Sequence, residues 1–287
     1  MAMIGIDGYK GYWNSNGTRS IIINSDHIDE CMMVYRKNSL DGVAITVAQD
    51  YKLQNVDFLS EYQDIKHLSV SEGIKDISAI HNLKNLESLT ISGKNRKIDF
   101  SHFPHLKELV ADWSPNFLNM DKCTQLKNLS FYNYSPGNKD CSSISNTPWI
   151  EKLLITQSTI TTLNGLEKFD KLEEVEFNYC SRLATLCCLE GSKDTLVSLL
   201  FSHCKSIKNH DYVMLFYNLK ILSFNDGGTI SSIKFIKEMP SIESFRFVRT
   251  EVTDGDMSPG IGLRYAAFTN KKHFTHTMEQ IKYLSKT

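Results

Sequence analysis

Residues 273–279 read HFTHTME and place His273, His276 and Glu279 three apart. On a helix, steps of three keep two imidazoles and a carboxylate near one face, an arrangement that can ligate a divalent metal. No cysteine lies nearby and the segment falls in what reads as a terminal cap, so packing and hydrogen bonding are the ordinary use of these side chains and no metal is assigned. His102 and His105 flank a proline in HFPH and read the same way. Asp254 and Asp256 in TDGDM, and Asp226 in NDGG, are turn sequences, too short and too poor in ligands for a calcium loop. PGIG at 259–262 lacks the strand before and the helix after that a phosphate loop needs. Seven cysteines occur, at 31, 123, 141, 180, 187, 188 and 204, with no C-x-x-C spacing. Cys187 and Cys188 adjoin Leu186 and Leu189, an apolar setting in which a thiol is a sluggish nucleophile. Reduced thiols acting as small apolar residues are expected. No Ser/His/Asp or Cys/His set has a scaffold to stand on, so no catalytic residue and no cofactor is assigned.

Composition narrows the classes. The chain has 287 residues, 41% hydrophobic and 23% charged, with net charge −1. That balance lacks the basic excess of a dedicated nucleic-acid binder. No run of 18 uncharged apolar residues exists, so no membrane span is expected. The opening MAMIGIDGYKGYW has no basic segment followed by an apolar one, so no signal peptide is expected. With reduced thiols, that gives a cytoplasmic location as the expectation.

The elements that would position any site follow from a recurring pattern. In LKNLESLTI, at 83–91, the apolar spacing changes from three to two, as when a chain turns a corner into a short strand. The core L-x-x-L-x-L, with any apolar residue at its fixed places, fits Ile65-Leu68-Val70, Leu86-Leu89-Ile91, Leu106-Leu109-Ala111, Leu126-Leu129-Phe131 and Ile150-Leu153-Ile155. It continues at Leu172-Val175-Phe177, Leu196-Leu199-Phe201, Leu219-Leu222-Phe224, Ile242-Phe245-Phe247 and Leu263-Ala266-Phe268, with a weaker copy at Leu40-Val43-Ile45. A turn of chain this short cannot bury its own flanks, so neighbours must stack.

Period and core resemble the leucine-rich repeat, and the layout looks most like the 22-residue repeats of bacterial internalins. The resemblance covers residues 40–270. It implies an α/β solenoid: a right-handed superhelix with a parallel β-sheet on the concave face and 3-10 turns and loops on the convex face. Residues 1–39 form an N-terminal cap of β-hairpin plus helix, 40–270 hold about 10–11 repeats, and 271–287 form a C-terminal cap. The hairpin is expected from Gly11–Trp13, a turn at Asn14 to Gly17, and Ser20–Asn24. The helix is expected to be capped by Ser25 or Asp26, with Ile28, Met32 and Tyr35 as its apolar stripe. At the far end Thr277 and Gln280 make a capping box before Met278, Ile281 and Leu284. One departure stands out. The family usually has asparagine beyond the strand core, where this chain has Gly73, Lys94, Ser114, Tyr134, Ser158, Cys180, Cys204, Gly227, Thr250 and Lys271.

Strand alternation assigns the outward side chains. The middle rungs present Glu108, Asp112, Trp113, Tyr132, Tyr134, Glu174, Glu176 and Tyr179; Leu154, Leu200 and Ile221 add apolar groups, and the later rungs turn basic at Arg246 and Arg249. Aromatics among carboxylates suit a protein-binding face. The expected function is therefore a non-enzymatic module that binds a partner protein on its concave face, a monomer when free, with neither nucleic acid nor membrane as partner. The tail FTNKKHFTHTMEQI looks similar to bacterial immunity proteins that neutralise a cognate toxin, and the middle carboxylates would suit a toxin domain with a basic surface. An internalin-like adhesin or host-directed effector is the alternative. The reading of another class is an enzyme subunit resembling ubiquitin-ligase effectors, whose C-terminal cysteine domain has no counterpart here.

Overall fold

The computed structural model describes residues 2–13 and 17–286. The chain divides into two compact units, Met1–Asn128 and Leu129–Thr287, each an α/β coil of stacked repeats built on an open sheet.

The first unit opens with β1 (Ala2–Ile6) and β2 (Tyr9–Trp13), an antiparallel hairpin turning at Asp7 and Gly8. Both turn residues have positive φ, 49° and 88°, as a two-residue hairpin that follows the strand twist requires. β2 also pairs antiparallel with β3 (Arg19–Ile22), the expected hairpin; its turn, apart from Gly17, lies outside the described residues. The sheet then becomes parallel. β3 leads through α1 (Ile28–Lys37) to β4 (Gly42–Ile45), and β5 (His67–Val70), β6 (Ser88–Ile91) and β7 (Glu108–Asp112) follow in order. The N-cap of α1 is His27, with no side-chain bond, because Asn24 Oδ1 holds the Asp26 N–H at 2.9 Å in a turn just before it. The helix therefore begins later than Ser25 or Asp26 would have set it. Met32 and Tyr35 are buried with Cys31 and Val34, while Ile28 is only half-buried.

The repeat core is in register. Val43, Leu68, Leu89 and Leu109 face one another strand to strand, as do Ile45, Val70, Ile91 and Ala111, and all are buried. Each of β4–β7 is followed by a short 3-10 turn, such as Ser78–Asn82 and Phe100–His102.

β8 (Asn128–Tyr132) spans the division between the units and keeps the same alternation, with Leu129 and Phe131 buried. The second unit carries parallel strands β9 (Lys152–Thr156), β10 (Glu174–Asn178), β11 (Ser198–Ser202), β12 (Ile221–Asn225), β13 (Ser244–Phe247) and β14 (Tyr265–Phe268), paired in chain order. Register brings Phe177, Phe201 and Phe224 into one inward column. The rings stack almost parallel, 5.7 and 5.4 Å apart, since strand spacing leaves just room for offset faces. α2 (Met278–Leu284) closes the end with both capping-box bonds: the Gln280 N–H donates to Thr277 Oγ1 at 3.2 Å, and the Thr277 N–H to Gln280 Oε1 at 2.7 Å. Ile281 is its buried residue, whereas Leu284 is exposed.

The missing asparagines are replaced rather than lost. Ser158 Oγ donates to the Tyr134 carbonyl one rung back, the Cys180 thiol to Ile155 O at 3.8 Å, the Cys204 thiol to Phe177 O at 3.4 Å, and Thr250 Oγ1 to Phe224 O. The adjacent Cys204 thiol, and then burial, push the Cys180 thiol up, so it remains a donor. Thr250 Oγ1 also accepts from the Gly227 N–H at 2.9 Å. Thr250→Val is therefore expected to leave two buried backbone groups unpaired and to lower unfolding free energy by about 1–3 kcal/mol, while Thr250→Ser keeps most of it; urea denaturation of both variants is the check.

Candidate functional site

The outward side chains fall into two groups, one on each unit. On β7, Glu108 is half-buried and accepts from Ser88 Oγ at 3.0 Å, and Asp112 accepts from the Gly93 N–H at 2.7 Å; Trp113, which follows, is half-buried. These carboxylates help hold β6 and its turn.

On the second unit, Tyr132 is 40% and Tyr179 54% exposed, as expected of outward side chains. Tyr134 is not on this face. It is fully buried, its ring stacks on Phe131 at 5.8 Å, and its hydroxyl lies 2.6 Å from Ser143 Oγ and donates to Asp140 O at 3.2 Å. Its place in the repeat is the inward one shared with Ser158, Cys180, Cys204 and Thr250. Glu174 is exposed but receives Lys152 Nζ at 2.7 Å, and Glu176 receives Asn178 Nδ2 at 2.7 Å. Arg246 projects outward from β13, half-buried, between Ser223 on β12 and Ala267 on β14. Its Nε is buried without a hydrogen-bond partner.

A row that sequence reading had not singled out as one set lines the end of this sheet. Asn133, Gln157, Tyr179, His203, Asp226 and Arg249 occupy the same place in successive repeats, and all have φ between 49° and 59°. That conformation costs a non-glycine residue roughly 1–2 kcal/mol. It is held because it turns each N–H toward the next rung: Gln157, Tyr179, His203 and Asp226 donate to the carbonyls of Asn178, Ser202, Asn225 and Val248 at 2.8–3.0 Å. The side chains project as a second ladder. The Tyr179 and His203 rings stack at 4.3 Å, His203 Nε2 lies 3.7 Å from Asp226, and Arg249 binds Asp226 through two bonds of 2.7 Å. The Arg249 guanidinium holds the Asp226 carboxyl below the usual carboxylate range. The available signal was the recurrence of non-glycine residues one place before the inward hydroxyls and thiols; only Tyr179 and Arg249 had been read as outward.

The other candidate chemistry disperses. His273 and His276 precede α2 rather than lying on it; His273 Nε2 meets Val252 O and Glu251 at 3.0 Å, His276 meets Thr275 Oγ1, and Glu279 takes Asn270. No group of three or more possible metal ligands forms among the described residues. All seven cysteines are free, and Cys187 is exposed rather than set in an apolar environment. Burial, and then Glu167, push the Cys188 thiol up to about 11. No helix among the described residues is long and apolar enough to cross a membrane.

No family model and no curated protein matches the chain. Solved structures do. An internalin (inlF) from Listeria monocytogenes is similar with TM-score 0.57 at 16% identity, over 80% of this chain and 68% of that one. A leucine-rich-repeat protein from Leptospira interrogans is similar with TM-score 0.57 at 13% identity, over 88% and 72%. A chain of the LRIM1/APL1C complex is similar with TM-score 0.55 at 14% identity, over 82% and 45%. These likenesses define the fold class, a leucine-rich-repeat solenoid, shared with bacterial internalins among others.

Proposed function

We propose that this protein is a non-enzymatic recognition module, and that the outward sheet face and rim of residues 129–287 bind another protein. The rim carries the reading. Glycine would serve that backbone at lower cost, yet six successive rungs keep Asn, Gln, Tyr, His, Asp and Arg there. Strain of this kind concentrates where side chains are needed for a purpose other than folding. An exposed tyrosine on a histidine, beside an ion pair fixed in place, is a preorganised contact surface. The similar LRIM1/APL1C structure is itself a protein complex.

Neutralisation of a toxin by a monomeric cytoplasmic protein is one role such a surface can serve, and adhesion or action as an effector is another. The ion pair of Glu174 with Lys152 offsets one of the negative charges a basic partner would meet, while Glu176, bonded only to the neutral Asn178 amide, keeps its own. The test is retention of a partner captured by the wild-type chain. Tyr179→Ser and Tyr265→Ser are expected to weaken it about tenfold or more, as truncating aromatic anchors does. Tyr217→Ser, 57% exposed and outside the sheet, is expected to leave it unchanged. Loss with Tyr217→Ser alone would contradict the choice of surface.

A further inference from the structure

Arg246 is the only charged side chain among the outward residues of β11–β14; the others are Ser, Leu, Ile, Asn, Tyr and Ala. The carboxylates on either side of it in the chain are already engaged, Glu243 by Arg264 at 3.3 Å and Glu251 by Lys271, and Asp226 on the rim is held by Arg249. The Arg246 guanidinium has no ion pair, and its Nε is buried and unbonded. A guanidinium offers five donors in a planar fork that fits a carboxylate, and an unmet buried donor is a cost that a bound acceptor removes. The flanking residues in register, Ser223 and Ala267, are small and buried, so the guanidinium lies between low neighbours. Two residues earlier on the flanking strands stand Ile221, 37% exposed, and Tyr265, 53% exposed, within reach of one ligand by the diagonal spacing of a sheet.

We propose that Arg246 anchors a side-chain carboxylate of the partner protein, with Ile221 and Tyr265 receiving an apolar residue beside it. The inference rests on the protein-binding reading above and narrows it: the partner presents an acidic and apolar segment to this end of the sheet. A lone cation matches one negative charge. A phosphate backbone calls for several, and the nearby Arg249 is already neutralised by Asp226.

Panning random phage-displayed peptides on the full chain, then measuring synthetic copies of the enriched sequences, tests this. The account expects Asp or Glu next to an aliphatic or aromatic residue. It expects Arg246→Gln to weaken binding about tenfold or more, while Arg264→Gln has little effect. Arg246→Gln is expected not to lower Tm, because the guanidinium has no partner in the chain to lose; a clear fall in Tm would count against the proposal. Peptides that need Ile221 or Tyr265 but tolerate Arg246→Gln would overturn the carboxylate assignment and leave the binding face standing. Peptides indifferent to all three, or no enrichment at all, would overturn both.

Discussion

Phe201→Ala is expected to lower the unfolding free energy by about 3–5 kcal/mol. Phe201 is 1% exposed and lies between Phe177 and Phe224, with ring planes within 5° and 9° of parallel. Both neighbours sit on strands tied to β11 by parallel pairing, so neither can move in to fill the void. The loss therefore includes the cavity as well as the transfer of the ring to water. Leu200→Ala is the control: one residue away, on the outward face and half-buried, it is expected to cost about 1 kcal/mol or less. Urea denaturation followed by circular dichroism measures both. Equal losses at the two positions would contradict the inward and outward assignment of β11.

Acidification from pH 6.5 to about 4 is expected to remove about 3 kcal/mol of stability through His210. His210 is 5% exposed, its ring stands nearly perpendicular to that of Phe224 with centroids 4.8 Å apart, and Nε2 has no hydrogen-bond partner in the chain. Burial lowers the imidazole pKa to about 4, and Asp211 offsets this only in part. The folded pKa therefore lies below the unfolded one, near 6.5. On acidification the unfolded chain takes up the proton first. The contribution of neutral His210 is whole above pH 6.5, falls between 6.5 and 4, and changes no further below that. His210→Leu is expected to flatten this part of the stability profile. An unaltered profile would show that the imidazole is not buried in its neutral form.

The coil was legible because inward positions repeat in type as well as spacing. Leu153, Val175, Leu199 and Leu222 are apolar wherever the chain must turn inward, and the structure pairs them in register. The β1–β2 hairpin was also present in the residues, as Asp7-Gly8 between two short strands, but its flanks lack strict alternation. The rim was hidden for a physical reason. Gln157, Tyr179, His203 and Arg249 give no local sign of left-handed backbone; the forward bonds to the next rung impose it. Tyr134 was misplaced because tyrosine suits an exposed strand. Its position in the repeat directs it inward, and Ser143 and Asp140 supply the partners its hydroxyl needs there. Charge was the least readable feature. Glu174, Glu176 and Arg249 read as open charges in sequence, yet cross-rung and local partners engage each of them, and Arg246 is left without one.

Site-specific photo-crosslinking tests the central claim most directly. A photoreactive phenylalanine analogue at Tyr179 or Tyr265 is expected to trap one discrete protein partner in cells that make both proteins, while the same analogue at Tyr217 traps none. Crosslinks from Tyr217, with none from Tyr179 or Tyr265, would contradict recognition by the outward sheet face.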